Sequence, residues 1–234
     1  MKKIILITGA TSGYGLATAL KCKANGFTVI IASRSAEKVQ AVRETYGFDD
    51  GYVLDVTDYN GWLTLKKQVL EKYGRVDILV NNAGTGVRIA ELSEQTKDTI
   101  DEAVAINLNG VIYGSQIFGD VMKQQQDGII INISSVCARH CWPGWSVYAA
   151  AKAGVLNFTK SLYVELQPYG VSATCIIPAA ASTGFNTKAG IQENEQSLTA
   201  DDIANAVFYA VTQPKGVCVE EMTVWGTSQI VQPL

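Results

Sequence analysis

The chain is 234 residues long, 47% hydrophobic and 18% charged, with a net charge of −3. A compact unit of this size buries roughly 70% of its unfolded surface, enough for a core without disulfide or metal staples, and so apolar a composition with so little net charge excludes a disordered chain. The slight acidity argues against a basic groove for nucleic acid, and no stretch reaches the roughly 18 apolar residues of a membrane helix.

Short β-branched runs alternate with longer amphipathic stretches. A strand is expected over residues 3–8, then a helix over 13–25 that Asn25-Gly26 stops. Residues 27–32 read as a strand and 36–46 as a helix with Ser35 as N-cap. A short strand at 51–54 precedes a helix over 59–73 that ends at Gly74, and 76–81 is a strand. One long helical stretch is expected over 96–126, then a strand over 128–134 in which four of the seven residues are Ile. Residues 146–167 form a helix ended by Pro168, 171–177 a strand, 200–212 a helix and 220–225 a last strand. These strands are continuous apolar runs, so both faces are covered, as in a parallel sheet between two helix layers. The expectation is a doubly wound α/β Rossmann-type sheet of about seven strands, forming one domain over 1–234.

Met1-Lys2-Lys3 and the apolar run behind it faintly mimic a signal peptide, but the run is too short. The five cysteines (Cys22, Cys137, Cys141, Cys175 and Cys218) are odd in number and scattered, with no CxxC pair and a single histidine, His140. Neither a disulfide framework nor a zinc site is expected; reduced thiols in a cytoplasmic protein are.

The first strand runs into Thr8-Gly9-Ala10-Thr11-Ser12-Gly13-Tyr14-Gly15, which opens a helix. Glycines permit the tight turn and let backbone N–H groups reach a diphosphate at the positive helix end. Gly9, Thr11, Ser12, Gly13, Tyr14 and Gly15 are therefore candidate cofactor residues, at GxxxGxG spacing rather than GxGxxG. The end of the second strand reads Ala32-Ser33-Arg34-Ser35, without the carboxylate that NAD sites offer to the ribose 2′-OH. Arg34 could grip a 2′-phosphate bidentately, with Ser33 beside it, or stand solvated at the surface. The missing acid favours NADP(H), with NAD(H) left open.

Tyr148 and Lys152 stand four apart on a predicted helix and share a face. A buried ammonium beside a phenol lowers the phenol's pKa and makes it a general acid/base nearer neutral pH. The glycine turn, Asn81-Asn82-Ala83-Gly84, Asn107-Leu108-Asn109-Gly110, Ser134-Ser135-Val136 and Tyr148-Ala149-Ala150-Ala151-Lys152 occur in that order. Together they resemble the short-chain dehydrogenase/reductase family, in its short single-domain branch, over nearly the whole chain.

The resemblance implies roles. Asp55 and Val56 would contact the adenine ring, Asn81, Ala83 and Gly84 would lie along the cofactor, and Pro178 and Thr183 would face the nicotinamide or diphosphate. Ser135 would bind the substrate oxygen, Tyr148 would transfer the proton, Lys152 would lower the tyrosine's pKa and hold the nicotinamide ribose, and Asn107 would hold a water linking Lys152 to solvent. Two positions depart from the pattern: Tyr14 stands where Ile is usual, and Ala179 replaces a Gly.

The implied substrate pocket draws on Arg88, Trp142, Trp145 and Phe185, with a short lid over 184–199, and Trp142 and Trp145 could line an aromatic pocket or simply pack the loop. Arg88 and Arg139 are candidates for an anionic substrate group or for solvated rim positions, and His140 for a structural role. The expected activity is hydride transfer between nicotinamide C4 and a carbonyl or alcohol; the alternative is a non-catalytic dinucleotide sensor or structural subunit on the same fold. The expected partner is a small carbonyl or alcohol substrate, and the resemblance implies a homotetramer or homodimer.

Overall fold

The structure is a computed structural model that describes residues 2–86, 89–181 and 198–227. Seven parallel strands form one sheet: β1 (Ile4–Thr8), β2 (Thr28–Ser33), β3 (Asp50–Val53), β4 (Ile78–Asn81), β5 (Gly128–Ile133), β6 (Val171–Pro178) and β7 (Glu221–Val224). Their order is β3-β2-β1-β4-β5-β6-β7. Chain progression therefore reverses between β1 and β4, and ligands of such sheets bind outside the strand ends at that switch point.

Alternation along the strands builds two cores. Ile5, Ile7, Val29, Ile31, Val80 and Ile131 point to one face, where α1 (Gly13–Ala24), α2 (Ala36–Tyr46) and α7 (Ala200–Val211) cover them. Leu6, Ile30, Leu79 and Ile130 point to the other, under α3 (Tyr59–Tyr73), α5 (Gly110–Gln125) and α6 (Ser146–Leu166). Trp62 of α3 is fully buried and donates its indole N–H to the Val56 carbonyl at 3.0 Å, so its one polar atom is satisfied.

Helix ends follow the local chemistry of the sequence. The Ser35 hydroxyl accepts from the Lys38 N–H, Asp58 from that of Asn60, and Gly47 and Gly74 close their helices in the left-handed conformation. The expected long helix over 96–126 is corrected: α4 (Lys97–Val104) passes into a π-helical turn, Ala105–Asn109, before α5 begins. The helix expected to reach 167 stops at Leu166, and a single 3₁₀ turn carries Pro168 to Gly170.

Candidate active site

The glycine turn is locked onto β2 and β4 at the switch point. The Gly9 N–H donates to the Ala32 carbonyl at 2.8 Å, and Gly9 and Gly13 have φ of 65° and 54°, which favour glycine. A Cβ at Gly9 would lie 2.9 Å from Ala83 Cα, and one at Gly15 would lie 2.5 Å from Asn82 Nδ2. The turn is therefore pressed against the segment after β4. Thr8 and Asn82 hold that contact. The Asn82 and Ala83 N–H groups donate to the Thr8 hydroxyl at 3.1 and 3.0 Å, and Asn82 Nδ2 donates to the Thr8 carbonyl at 2.8 Å.

Ser12 is the N-cap of α1 but makes no side-chain cap bond, whereas Ser35, Asp58, Thr96 and Thr199 cap theirs. The first N–H groups of α1 thus keep their donor capacity beside the turn, and this arrangement fits the diphosphate of a dinucleotide. The Thr11 and Ser33 hydroxyls lie 3.2 Å apart and tie the turn to the end of β2, next to an exposed Arg34. The Asp55 carboxylate is folded back on the Thr57 N–H and hydroxyl at 2.9 and 2.8 Å. Val56 is buried beneath Gly110, where a Cβ would meet it at 2.8 Å.

Asn81 sits elsewhere than its neighbours in the motif. Its amide is buried in the sheet and donates to the Ser115 hydroxyl and the Asn132 side-chain oxygen, each at 2.9 Å. What Asn81 can offer a ligand is backbone; its side chain belongs to the sheet.

The π turn puts Asn107 at 0% exposure with both ends of its amide engaged. Nδ2 donates to the Ala103 and Thr85 carbonyls at 3.0 and 3.2 Å, and Oδ1 accepts from the Thr85 N–H at 3.2 Å. The widened turn is what lets a helical side chain clamp the strand-end loop. A Cβ at Gly84 would lie 3.2 Å from Asn107 Oδ1 and 3.7 Å from Lys152 Nζ, so the glycine leaves one small space bordered by both.

Ser135, Tyr148 and Lys152 converge after β5. Ser135 is extended, and its hydroxyl hydrogen-bonds the Tyr148 phenol. Tyr148 and Lys152 are one turn apart on α6 and are 6% and 4% exposed. Lys152 Nζ donates to the Ile133 carbonyl at 3.0 Å and lies 5.8 Å from the Tyr148 ring centre. Burial lowers the Lys152 ammonium to about 8, opposed by the nearby thiols of Cys175 and Cys137. Burial also raises the Tyr148 phenol above its ordinary range, reinforced by Cys137 and Tyr14 and opposed by the Ser135 hydrogen bond. Desolvation dominates the Tyr148 phenol, and the Lys152 ammonium's hydrogen bond goes to the Ile133 carbonyl. Both groups carry their protons at pH 7.

The segment between Ser135 and Tyr148 is fastened to β7. Arg139 pairs with Glu221 and donates to the Thr223 hydroxyl at 3.1 Å, so the expectation that it could hold an anionic substrate group is corrected. The His140 ring packs between Trp142 and Trp225, at 6.1 and 5.5 Å between centres. Trp145 meets the Tyr148 ring edge to face at 5.5 Å. Pro178 ends β6, and buried Ala179 donates its N–H to the Val224 carbonyl. Arg88, Thr183, Phe185 and all but the end of the expected lid lie outside the described residues. Thr8 and Asn82 are positioning groups that the sequence does not single out, although both stand inside the quoted motifs, which is the signal for them.

These features place the chain among oxidoreductases of the short-chain type. The family model for short chain dehydrogenases matches residues 3–194, and the chain belongs to that family. It is 34% identical over 224 residues to an uncharacterised oxidoreductase of Staphylococcus aureus, covering 95% of this chain and 96% of that one. It is 37% identical over 201 residues to a 3-oxoacyl-[acyl-carrier-protein] reductase of Thermotoga maritima, covering 84% and 81%. Among solved structures, a serine dehydrogenase in closed form complexed with NADP+ superposes with a TM-score of 0.93 at 26% identity, covering 99% and 98%. A 3-ketoacyl-(acyl-carrier-protein) reductase from Brucella melitensis complexed with NADH gives 0.91 at 26% identity, covering 97% and 98%.

Proposed function

We propose that this oxidoreductase is an NADP(H)-preferring carbonyl reductase that uses Tyr148 as its general acid. The observation that carries the reading is the buried Tyr148–Lys152 pair of α6 meeting the half-buried Ser135 at the end of β5, beside the glycine turn. Hydride is the chemistry a bound dihydronicotinamide would supply. Gly9, Thr11, Ser12, Gly13, Tyr14 and Gly15 would hold the diphosphate. Ser33 and Arg34 would hold a 2′-phosphate, Asp55 and Val56 would meet the adenine, and Ala83, Gly84, Pro178 and Thr183 would border the remainder. Arg34 is exposed at the end of β2 and pairs with no acid among the described residues, which supports NADP(H) over NAD(H).

The side chains divide the work at the carbonyl. Ser135 and Tyr148 hydroxyls orient the oxygen, and Tyr148 hands its proton to the developing alkoxide. A phenol held above its ordinary range is protonated before reaction, which suits the reductive direction. Lys152, charged at pH 7, stabilises the phenolate as it forms, in a site too dry for water to do so. An intact Tyr–Lys pair gives the non-catalytic alternative nothing to rest on.

The test is oxidation of NADPH and NADH with a panel of ketones, aldehydes and 3-oxoacyl esters. Tyr148→Phe should cost at least about a hundredfold in kcat while cofactor affinity holds. Turnover that survives Tyr148→Phe removes the mechanism.

A further inference from the structure

Three consecutive residues at the C-terminal end of β5 are bonded to α6. Asn132 Nδ2 donates to the Thr159 hydroxyl at 3.0 Å, and that hydroxyl donates onward to the Val155 carbonyl at 2.7 Å. The Ile133 carbonyl accepts from Lys152 Nζ at 3.0 Å. The Ser134 hydroxyl donates to the Lys152 carbonyl at 2.8 Å. Asn132, Ser134, Lys152 and Thr159 are all buried. Tyr148, Lys152, Val155 and Thr159 follow one another down a single face of the helix. Thr159 and Lys152 are two turns apart, so the ties fix α6 at two heights, against both sliding and rotation.

The upper tie matters for the reaction because it lies in the turn that carries the Tyr148–Lys152 pair. The N-cap of α6 is Trp145, which makes no side-chain cap bond. Inside a helix the Lys152 carbonyl already has the N–H four residues on as its partner, so the Ser134 bond is additional. Its geometric effect is to set where the Lys152 Cα stands relative to β5, and hence where the ammonium and the phenol one turn earlier point.

We propose that Ser134 is a positioning residue for the Tyr148–Lys152 pair, holding α6 in register on β5 through the Lys152 carbonyl. The inference rests on the acid–base reading of that pair given above. A displacement of a fraction of an ångström is enough to reduce catalysis without touching binding.

The experiment compares Ser134→Ala, Ser134→Cys and Ser134→Thr with the native enzyme, with Tyr148→Phe alongside. Ser134→Ala should lower kcat about tenfold, leave the carbonyl KM within about twofold, and move the pH midpoint of alcohol oxidation up by about half a unit, as a less well-placed ammonium stabilises phenolate less. Ser134→Thr keeps the donor and should keep the native pH midpoint. If Ser134→Ala does not fold, Ser134→Cys, close in size and a weak donor, is read in its place against the same criteria. A native kcat and midpoint in the readable variant overturn the proposal, as does a kcat loss that Thr does not restore. Tyr148→Phe reports separately: turnover there defeats the acid–base reading, whatever Ser134 does.

Discussion

Thr8 and Asn82 act as a pair across the switch point, and their bonds explain why the glycine turn has one shape. The Thr8 hydroxyl takes two N–H groups from the strand-end loop, and the Asn82 amide returns bonds to the Thr8 carbonyl at 2.8 Å and the Gly9 carbonyl at 3.3 Å. Glycine supplies permission for the turn, and these two residues supply the constraint. Asn82→Ala should therefore weaken NADPH binding about tenfold in a fluorescence titration, through loss of preorganisation, while costing about 1–2 kcal/mol of stability in the loss of these hydrogen bonds. Unchanged affinity with a lowered melting temperature would make the clamp structural only. At this scale the site was legible where one residue type in one place has few uses: the glycines, Ser135, Tyr148 and Lys152. It was not legible for Arg139, whose partner Glu221 lies 82 residues away and is brought alongside only by the parallel pairing of β6 and β7.

Helix α5 shows what an element demands beyond its pattern. Gly114 and Gly119 both lie on its buried face, yet a Cβ would be received differently at each. At Gly114 it would stand 2.5 Å from Asn81 Oδ1 and 2.6 Å from the Trp62 ring, both held in place by buried hydrogen bonds. At Gly119 it would find ordinary contacts at 3.6 Å and beyond. Gly114→Ala should destabilise by about 1–3 kcal/mol through overpacking, and Gly119→Ala should stabilise by about 0.5–1 kcal/mol through helix propensity. Urea unfolding of the two variants measures both, and equal effects would refute the packing argument. Strands and most helices were legible to within a residue or two, because continuous apolar runs bounded by Gly and Asn have one reading in a doubly wound sheet. The π turn at Ala105–Asn109 was not, since its residues keep a helical period. The bonds of Asn107 to Thr85 accompany the break, and they are tertiary.

For the whole molecule, two cores against one sheet enclose ionisable groups that the unfolded chain exposes, and these set the alkaline limit of the fold. Burial raises the Cys22 thiol to about 12 and the Cys175 thiol to about 11, with Cys137, Cys218 and the Tyr14 and Tyr148 phenols moved the same way. A group raised in the fold stays protonated there while it ionises in the unfolded chain. Its stabilisation is complete below the unfolded value, near 9 for a thiol, and is lost as pH climbs to the folded one. Lys152 works in the opposite sense: lowered to about 8, it binds fewer protons in the fold than unfolded up to about 10.5, and so adds stability over that interval. It is one group against several, so the free energy of unfolding should fall from about pH 9 upward. Cys22→Ala separates the thiol's share. Removing a fully buried sulfur should cost about 1 kcal/mol at pH 7, and it should also make the alkaline limb shallower by about 1.4 kcal/mol per pH unit, one proton's worth. Urea titrations of both proteins between pH 7 and 11, with reductant present, read the two slopes. Parallel alkaline limbs would mean that Cys22 ionises no differently in the fold, and its place in the core behind α1 would then have no bearing on the alkaline limit.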